Sequence, residues 1–183
     1  MVADAVKIAI TPVALIAGAL IGSYRLHLDR HAGLGMQWPT RRAALHWSAA
    51  FLVLMAAEEA ALRMFGAGGP HSDWRAKYDA AAIVLRVVFV CLVYPFAEEL
   101  FFRGFLFGVI SRKAGIAAGV LATAAFFTAL HGLPSPSLGT LQIFADGIFF
   151  AVARVRSGSL VLPIGFHAVG NTFAAMQRLG LLT

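Results

Sequence analysis

The sequence has little charge and almost no cysteine. Only 13% of its 183 residues are charged, 60% are hydrophobic, and the mean hydropathy is +0.79. A soluble domain usually has about a quarter charged residues, so this composition excludes an ordinary water-soluble protein. The one cysteine, Cys91, lies in an apolar run and excludes an internal disulfide and a cysteine-based metal cluster. We expect Cys91 to be a packing residue.

The chain is basic, with 15 Lys and Arg against 9 Asp and Glu. In a soluble protein this balance would suggest nucleic acid, but here the basic residues fall mostly between apolar runs. In such connections they orient membrane spans and meet anionic lipid head groups. We therefore expect the lipid bilayer, and no nucleic acid, as a partner. The first apolar stretch lacks a small-residue cleavage site and is interpreted as a span.

Apolar runs separated by polar residues, Gly and Pro predict an all-α, polytopic bundle of six to seven transmembrane spans. Six spans are predicted, at residues 8–24, 43–65, 80–110, 115–131, 139–153 and 159–176. The third is too long for a simple crossing and contains Pro95, so we expect a kink, a tilt or an extension beyond the bilayer; a break would give a seventh segment. Lys and Arg are more frequent after spans one, three and five, which predicts both termini outside.

Several ionisable residues lie inside these apolar runs, where a charge must be paired or functional. Glu98 and Glu99 are adjacent in an aromatic stretch. On a helix, Glu99 and Arg103 are four residues apart and share a face, which predicts an ion pair. Glu98 points about 100° away and needs another partner. A carboxylate in that position is a candidate general acid or base.

Two later spans add polar side chains at four-residue spacing. Phe127 and His131 share a face at the end of the fourth span, and His167 and Asn171 share a face of the last one. Taken singly, such a histidine is usually an interfacial residue and such an asparagine a contact between helices. If these faces converge with Glu98, the carboxylate, imidazoles and amide suffice to activate water and hold an oxyanion.

These motifs, Glu98-Glu99-x-x-x-Arg103 with Phe102 and Pro95, Phe127-x-x-x-His131 and His167-x-x-x-Asn171, resemble the three-motif signature of the CPBP family. That family contains the type II CAAX prenyl endopeptidases and the bacteriocin-processing or immunity (Abi) membrane proteins. The resemblance covers roughly residues 84–178. We accordingly predict a protease core at 80–183, preceded by spans of unassigned role at 1–79.

The resemblance implies a glutamic-type intramembrane protease in a bacterial or archaeal cell membrane. Glu98 and His131 would activate the water, His167 and Asn171 would stabilise the oxyanion, and Glu99 and Arg103 would support the site. We expect no cofactor. A zinc ion held by Glu98, His131 and His167 is the alternative, although no HExxH motif occurs. The implied substrate is a membrane-associated protein or peptide cut near its end, in CAAX-type, C-terminal sorting-tail or bacteriocin-type processing.

Other polar residues are predicted to have ordinary roles. Glu58, Glu59 and Arg63 repeat the Glu-Glu-x-x-x-Arg spacing, and we expect a Glu59–Arg63 ion pair with Glu58 solvated. Asp146 lies within a span and is predicted to be structural or substrate-orienting, or else directly chemical. Arg86 is expected to reach the interface or pair with a carboxylate. The remaining histidines are expected to be solvated; they are His27, His31, His46 and His71.

Competing functions remain open from the sequence. The main alternative is a non-enzymatic membrane immunity or peptide-binding protein whose polar residues only join the helices. A proton-coupled transporter is the next. An aspartyl protease is disfavoured because the other aspartates lie outside the spans, and a serine protease because no nucleophile turn occurs within one.

Overall fold

The structure is a computed structural model that describes residues 2–29, 33–65, 73–131 and 137–182. Within these ranges the chain is all-helical, without a β-strand. The described part forms seven helices, which are α1 (Val2–Arg25), α2 (Arg41–Met64), α3 (Trp74–Lys77), α4 (Ala80–Ala114), α5 (Ile116–Leu130), α6 (Leu138–Ser157) and α7 (Val161–Arg178). Each predicted span matches one long helix to within a few residues. The helical membrane bundle is thereby confirmed.

Four of these helices, α1, α2, α4 and α6, are long and apolar enough to cross a membrane. Helix α5 is also apolar but has only 15 residues. Its length of about 22 Å is less than the ~30 Å thickness of the hydrocarbon core. At this length α5 cannot cross the hydrocarbon core by itself.

Helix α4 continues through Pro95 without a break, so the seventh transmembrane segment that a break would create is not formed. It has 35 residues, roughly 50 Å, and therefore extends beyond the hydrocarbon core. Two π-helical stretches, Phe89–Val93 and Leu100–Leu106, flank the turn that contains Pro95. The wider π turns accommodate the missing proline N–H without ending the helix.

The packing brings the first two helices onto the later ones. Helix α1 packs on α4 through Ala19 and Leu100, and a Cβ atom at Gly22 would clash with the Phe105 ring. Phe51 of α2 stacks on Phe166 of α7 with ring centroids 4.7 Å apart. The described residues thus form one bundle, and the boundary at residue 80 stays a prediction.

Helices α5 and α6 approach closely at Gly147. A Cβ atom there would lie 3.0 Å from the backbone of Ala124, so only glycine fits without displacing a helix. Cys91 is buried beside Trp74 and Ala175, as expected of a packing residue.

Candidate active site

A buried ion pair lies at the centre of the bundle. Arg103 Nη1 donates to Glu99 Oε1 at 2.9 Å, and both side chains are fully buried. This confirms the predicted Glu99–Arg103 pair. Arg103 Nη2 also donates to the carbonyl oxygen of Gly147 at 3.2 Å, and its guanidinium carbon lies 4.4 Å from the centre of the Phe127 ring. Arg103 therefore connects α4 to both α5 and α6.

Glu99 also contacts the histidine of the last helix, which the sequence did not predict. Its Oε1 lies 3.0 Å from His167 Nδ1. Because a carboxylate oxygen can only accept, the Nδ1 atom carries the proton and donates. Glu99 thereby fixes both the orientation and the tautomer of the ring, and His167 presents Nε2 to the other side.

Glu98 lies on that other side. Its Oε2 is 3.7 Å from His167 Nε2, and 15% of the Glu98 side chain is exposed. The carboxylate is also close enough to His131 to interact with it electrostatically. The three predicted motifs therefore converge, with Glu98 facing the imidazoles rather than lipid.

His131 ends α5 and has its own fixed tautomer. Its Nδ1 lies 2.8 Å from the carbonyl oxygen of Phe127, one of the carbonyls that the end of a helix leaves without an N–H partner. That oxygen can only accept, so Nδ1–H donates and a neutral ring presents the Nε2 lone pair. The four-residue spacing of Phe127 and His131 thus positions the imidazole through the backbone.

Asn171 is held by a backbone carbonyl of α4 that has no N–H partner within the helix. Its Nδ2 donates to the carbonyl oxygen of Val90 at 2.8 Å. Val90 lies in a π turn, where the donor for its carbonyl would come five residues later, at Pro95, which has no N–H. Pro95 therefore frees the oxygen that anchors Asn171. One N–H and the Oδ1 of the amide are left for other contacts.

A cavity of about 720 Å³ opens beside these groups, between α2, α5, α6 and α7. Its walls include His131, His167 and Asn171, whereas Glu98 is not among the described residues that line it. Two aromatic rings hold the His167 ring at the edge of the cavity. The Phe150 ring stacks on it with centroids 5.7 Å apart, and the Phe127 ring meets it edge-on with centroids 5.6 Å apart. The walls combine mainly apolar surface with a few polar side chains that can bind water.

The opposite wall of the cavity is acidic, and here one prediction is wrong. Glu58 is partly buried rather than fully solvated: its Oε2 accepts from Gln142 Nε2 at 3.3 Å, and its Oε1 is buried without a hydrogen-bond partner among the described residues. Asp146 also lines the cavity and is close enough to interact electrostatically with Glu58 and His167. The predicted Glu59–Arg63 pair is present at 2.7 Å.

The remaining polar expectations have mixed outcomes. The guanidinium carbon of Arg86 lies 3.7 Å over the ring of Tyr78, which precedes α4. The side chain therefore points toward the start of that helix, and no ion pair with a carboxylate is seen among the described residues. His27 and His46 are exposed, as predicted. His31 and His71 lie outside the described residues.

The alternative zinc site is not assembled. Among the described residues, no three His, Cys, Asp or Glu side chains come together closely enough to hold a metal ion. Glu98, His131 and His167 therefore do not form a ligand set in this arrangement. Hydrolysis without metal stays a proposal.

Comparison with known proteins agrees with the motifs. A family model described as "Type II CAAX prenyl endopeptidase Rce1-like" matches residues 80–173, just over half of the chain. An Escherichia coli protein named "Uncharacterized 24.3 kDa protein" is 31% identical over 96 residues, covering 51% of this chain and 44% of that protein. The "Putative membrane peptidase YdiL" of Bacillus subtilis (strain 168) is 28% identical over 118 residues, covering 63% and 47%.

The chain thus spans about half the length of the curated relatives it matches. No solved structure matches. The family model covers all three motifs, from the helix that carries Glu98 to the last one that carries Asn171. With its apolar helices, the chain is a multi-pass membrane protein, and it belongs to the Rce1-like family of type II CAAX prenyl endopeptidases.

Proposed function

We propose that this protein is an intramembrane endopeptidase that hydrolyses a peptide bond near the end of a membrane-associated protein or peptide. The observation that carries the proposal is the convergence of Glu98, His131 and His167 beside a cavity between the apolar helices. Structural joining of helices would need only the Glu99–Arg103 pair and the Asn171–Val90 hydrogen bond. Glu98 adds only a 3.7 Å contact to His167, and His131 donates to a carbonyl of its own helix. Neither is needed to join the helices, which favours chemistry over the non-enzymatic alternative.

In the proposed reaction, Glu98 and the Nε2 atom of His131 act on one water molecule. One of these two groups acts as the general base and removes a proton as the water oxygen attacks the peptide carbonyl carbon. A tetrahedral oxyanion forms. The proton then passes to the leaving nitrogen as the C–N bond breaks, which gives one new carboxylate and one new amine. A general base of this type contributes about 10²–10⁴-fold to the rate.

Two side chains are proposed to stabilise the oxyanion. Asn171 has a second amide N–H besides the one that donates to Val90. Because the Nδ1–H of His167 donates to Glu99, its Nε2 atom is left to face the substrate. When the ring is protonated, Nε2 donates to the oxyanion with the carboxylate of Glu99 behind it. This division of roles needs no metal. Removing one oxyanion donor costs about 10²–10³-fold in other proteases.

The test is cleavage in cells that express the full chain beside three tagged candidate substrates: a prenylated CAAX tail, a C-terminal sorting tail and a bacteriocin-type precursor. We expect Glu98→Gln and His131→Ala to abolish product while protein abundance is unchanged. Glu59→Gln is the matched control, because Glu59 lines the same cavity but pairs with Arg63. It should cleave normally.

Three outcomes would contradict this proposal or part of it. Product from both Glu98→Gln and His131→Ala would remove those residues from the chemistry. A Glu98→Gln protein that is lost from the membrane would instead support a scaffolding role. Activity that a chelator abolishes and zinc restores would reverse the metal-free mechanism.

A further inference from the structure

A second, smaller pocket lies at the opposite end of α2 from the acidic residues. It has a volume of about 370 Å³ and is lined by Thr40, Arg42, Ala43, His46, Trp47 and, from the last turn of α6, Arg156. The pocket thus joins two positive side chains, a histidine and a hydroxyl between two helices. None of these residues takes part in the proposed chemistry. We name it the basic pocket.

The charge of the basic pocket is not neutralised locally. Neither Arg42 nor Arg156 forms an ion pair with another described residue. The same end of the bundle carries further basic residues at helix ends, namely Arg25, Arg41, Arg112 and Lys113. An anionic ligand would therefore enter a positive field and meet two unpaired guanidinium groups.

The two walls of the pocket are held in a fixed relation by the connections beneath them. Gln37, three residues before Thr40, donates to the carbonyl oxygen of Gly158 at 2.9 Å. Ser159 Oγ donates back to the carbonyl oxygen of Gln37 at 2.6 Å, and Leu160 N–H donates to Gly35 O at 2.7 Å. The start of α2 and the end of α6 are thereby tied together, which preorganises the pocket for binding.

The surface beside the pocket is apolar and faces outward. Leu45 and Val53 follow Arg42 on the same side of α2, three and eleven residues later, and are 64% and 70% exposed. Trp38, at the level of the pocket, is 84% exposed, as is typical of an aromatic residue at the membrane–water boundary. A cationic pocket above an apolar stripe matches a molecule with an anionic head and an acyl chain.

We propose that the basic pocket binds the phosphate of an anionic membrane phospholipid between Arg42 and Arg156. The acyl chains would lie along Leu45 and Val53 of α2. The ligand chemistry is a phosphodiester, which a free phosphate shares only in part. This site is independent of the proposed hydrolysis, since His131, His167 and Asn171 line a different cavity and Glu98 faces His167.

The test is native mass spectrometry of the full chain in detergent, titrated with phosphatidylglycerol or with phosphatidylcholine of the same acyl chains. We expect one phosphatidylglycerol to bind more tightly than any phosphatidylcholine. Arg42→Gln with Arg156→Gln should weaken that binding roughly 30-fold, because each charge contributes about 1 kcal/mol near an anionic lipid and 1.4 kcal/mol corresponds to a factor of ten. Arg112→Gln with Lys113→Gln is the matched control, with the same loss of charge at the same end of the bundle.

Each result decides for or against the site. Equal weakening by both double variants would mean that general surface charge holds the lipid and would overturn the proposal, as would equal binding of the two lipids. Displacement by inorganic phosphate as readily as by phosphatidylglycerol would limit the pocket to free phosphate. If the double variant does not fold, Arg156→Glu alone, at an exposed position, should still abolish the preference.

Discussion

The buried Glu99–Arg103 pair is predicted to be costly to break but not to replace. Arg103→Met removes the partner of Glu99 and leaves a carboxylate that is fully buried, with His167 as its remaining contact. Removing one member of a buried pair costs about 3–5 kcal/mol, because the other charge is left uncompensated. Glu99→Gln likewise leaves the Arg103 guanidinium buried without a compensating charge. We expect each single variant to lower the free energy of unfolding by an amount in this range.

The double variant should cost no more than either single one. In Glu99→Gln with Arg103→Met no uncompensated charge is buried, and the glutamine oxygen can still accept from His167 Nδ1. If the two losses added, they would total about 6–10 kcal/mol, so the coupling is large enough to measure. The measurement is unfolding in mixed micelles with increasing anionic detergent, followed by tryptophan fluorescence.

The chain provides its own control for this experiment. Glu59 and Arg63 have the same spacing and a similar distance, 2.7 Å, but their side chains are 27% and 64% exposed. Arg63→Met should therefore cost only about 0.2–1 kcal/mol. An Arg103→Met loss no larger than this, or additive losses in the double variant, would refute the reasoning.

Two further predictions concern backbone contacts near the site. Asn171→Ala should lower the free energy of unfolding by about 1–3 kcal/mol, because it leaves the Val90 carbonyl unpaired. The loss should be smaller in a Pro95→Ala background, which restores a backbone N–H to that carbonyl. The same unfolding assay measures both. Equal losses in the two backgrounds would mean that Pro95 does not control this carbonyl. Gly147→Ala should cost about 1–3 kcal/mol by forcing α5 and α6 apart, whereas Gly165→Ala, with nothing within 4 Å of the new methyl group, should not destabilise the fold.

Contacts within one helix could be predicted from the sequence, because residues four apart share a face whatever the rest of the fold does. The Glu99–Arg103 and Glu59–Arg63 pairs are both of this kind. The helices themselves also followed from the apolar runs. Convergence of the three motifs, by contrast, was inferred only through the family resemblance.

Contacts between helices could not be predicted, because the rotation of each helix about its axis depends on packing. The bond from Glu99 to His167 and the bond from Asn171 to Val90 are both of this type. The π turns of α4 make the difficulty greater, since each shifts the direction of every later side chain.

One missed residue did leave a usable signal. Glu58 points about 100° from Glu59, as Glu98 does from Glu99, so it cannot share the ion pair with Arg63. The same reasoning that singled out Glu98 therefore required a partner for Glu58 as well. The structure provides Gln142, on a facing helix, together with the cavity.

The energetics of the buried pair bear on why it is present at all. Replacing a buried ion pair by apolar residues of similar volume is often neutral or stabilising, so stability alone gives little reason to keep Glu99 and Arg103 inside the bundle. Their position gives another reason, because Glu99 holds His167 Nδ1 and turns Nε2 toward Glu98. A double variant that folds as well as the wild type but no longer cleaves would separate these two roles. Because the glutamine oxygen still accepts from Nδ1, it would assign the cost of burying two charges to the negative charge that Glu99 places behind one imidazole.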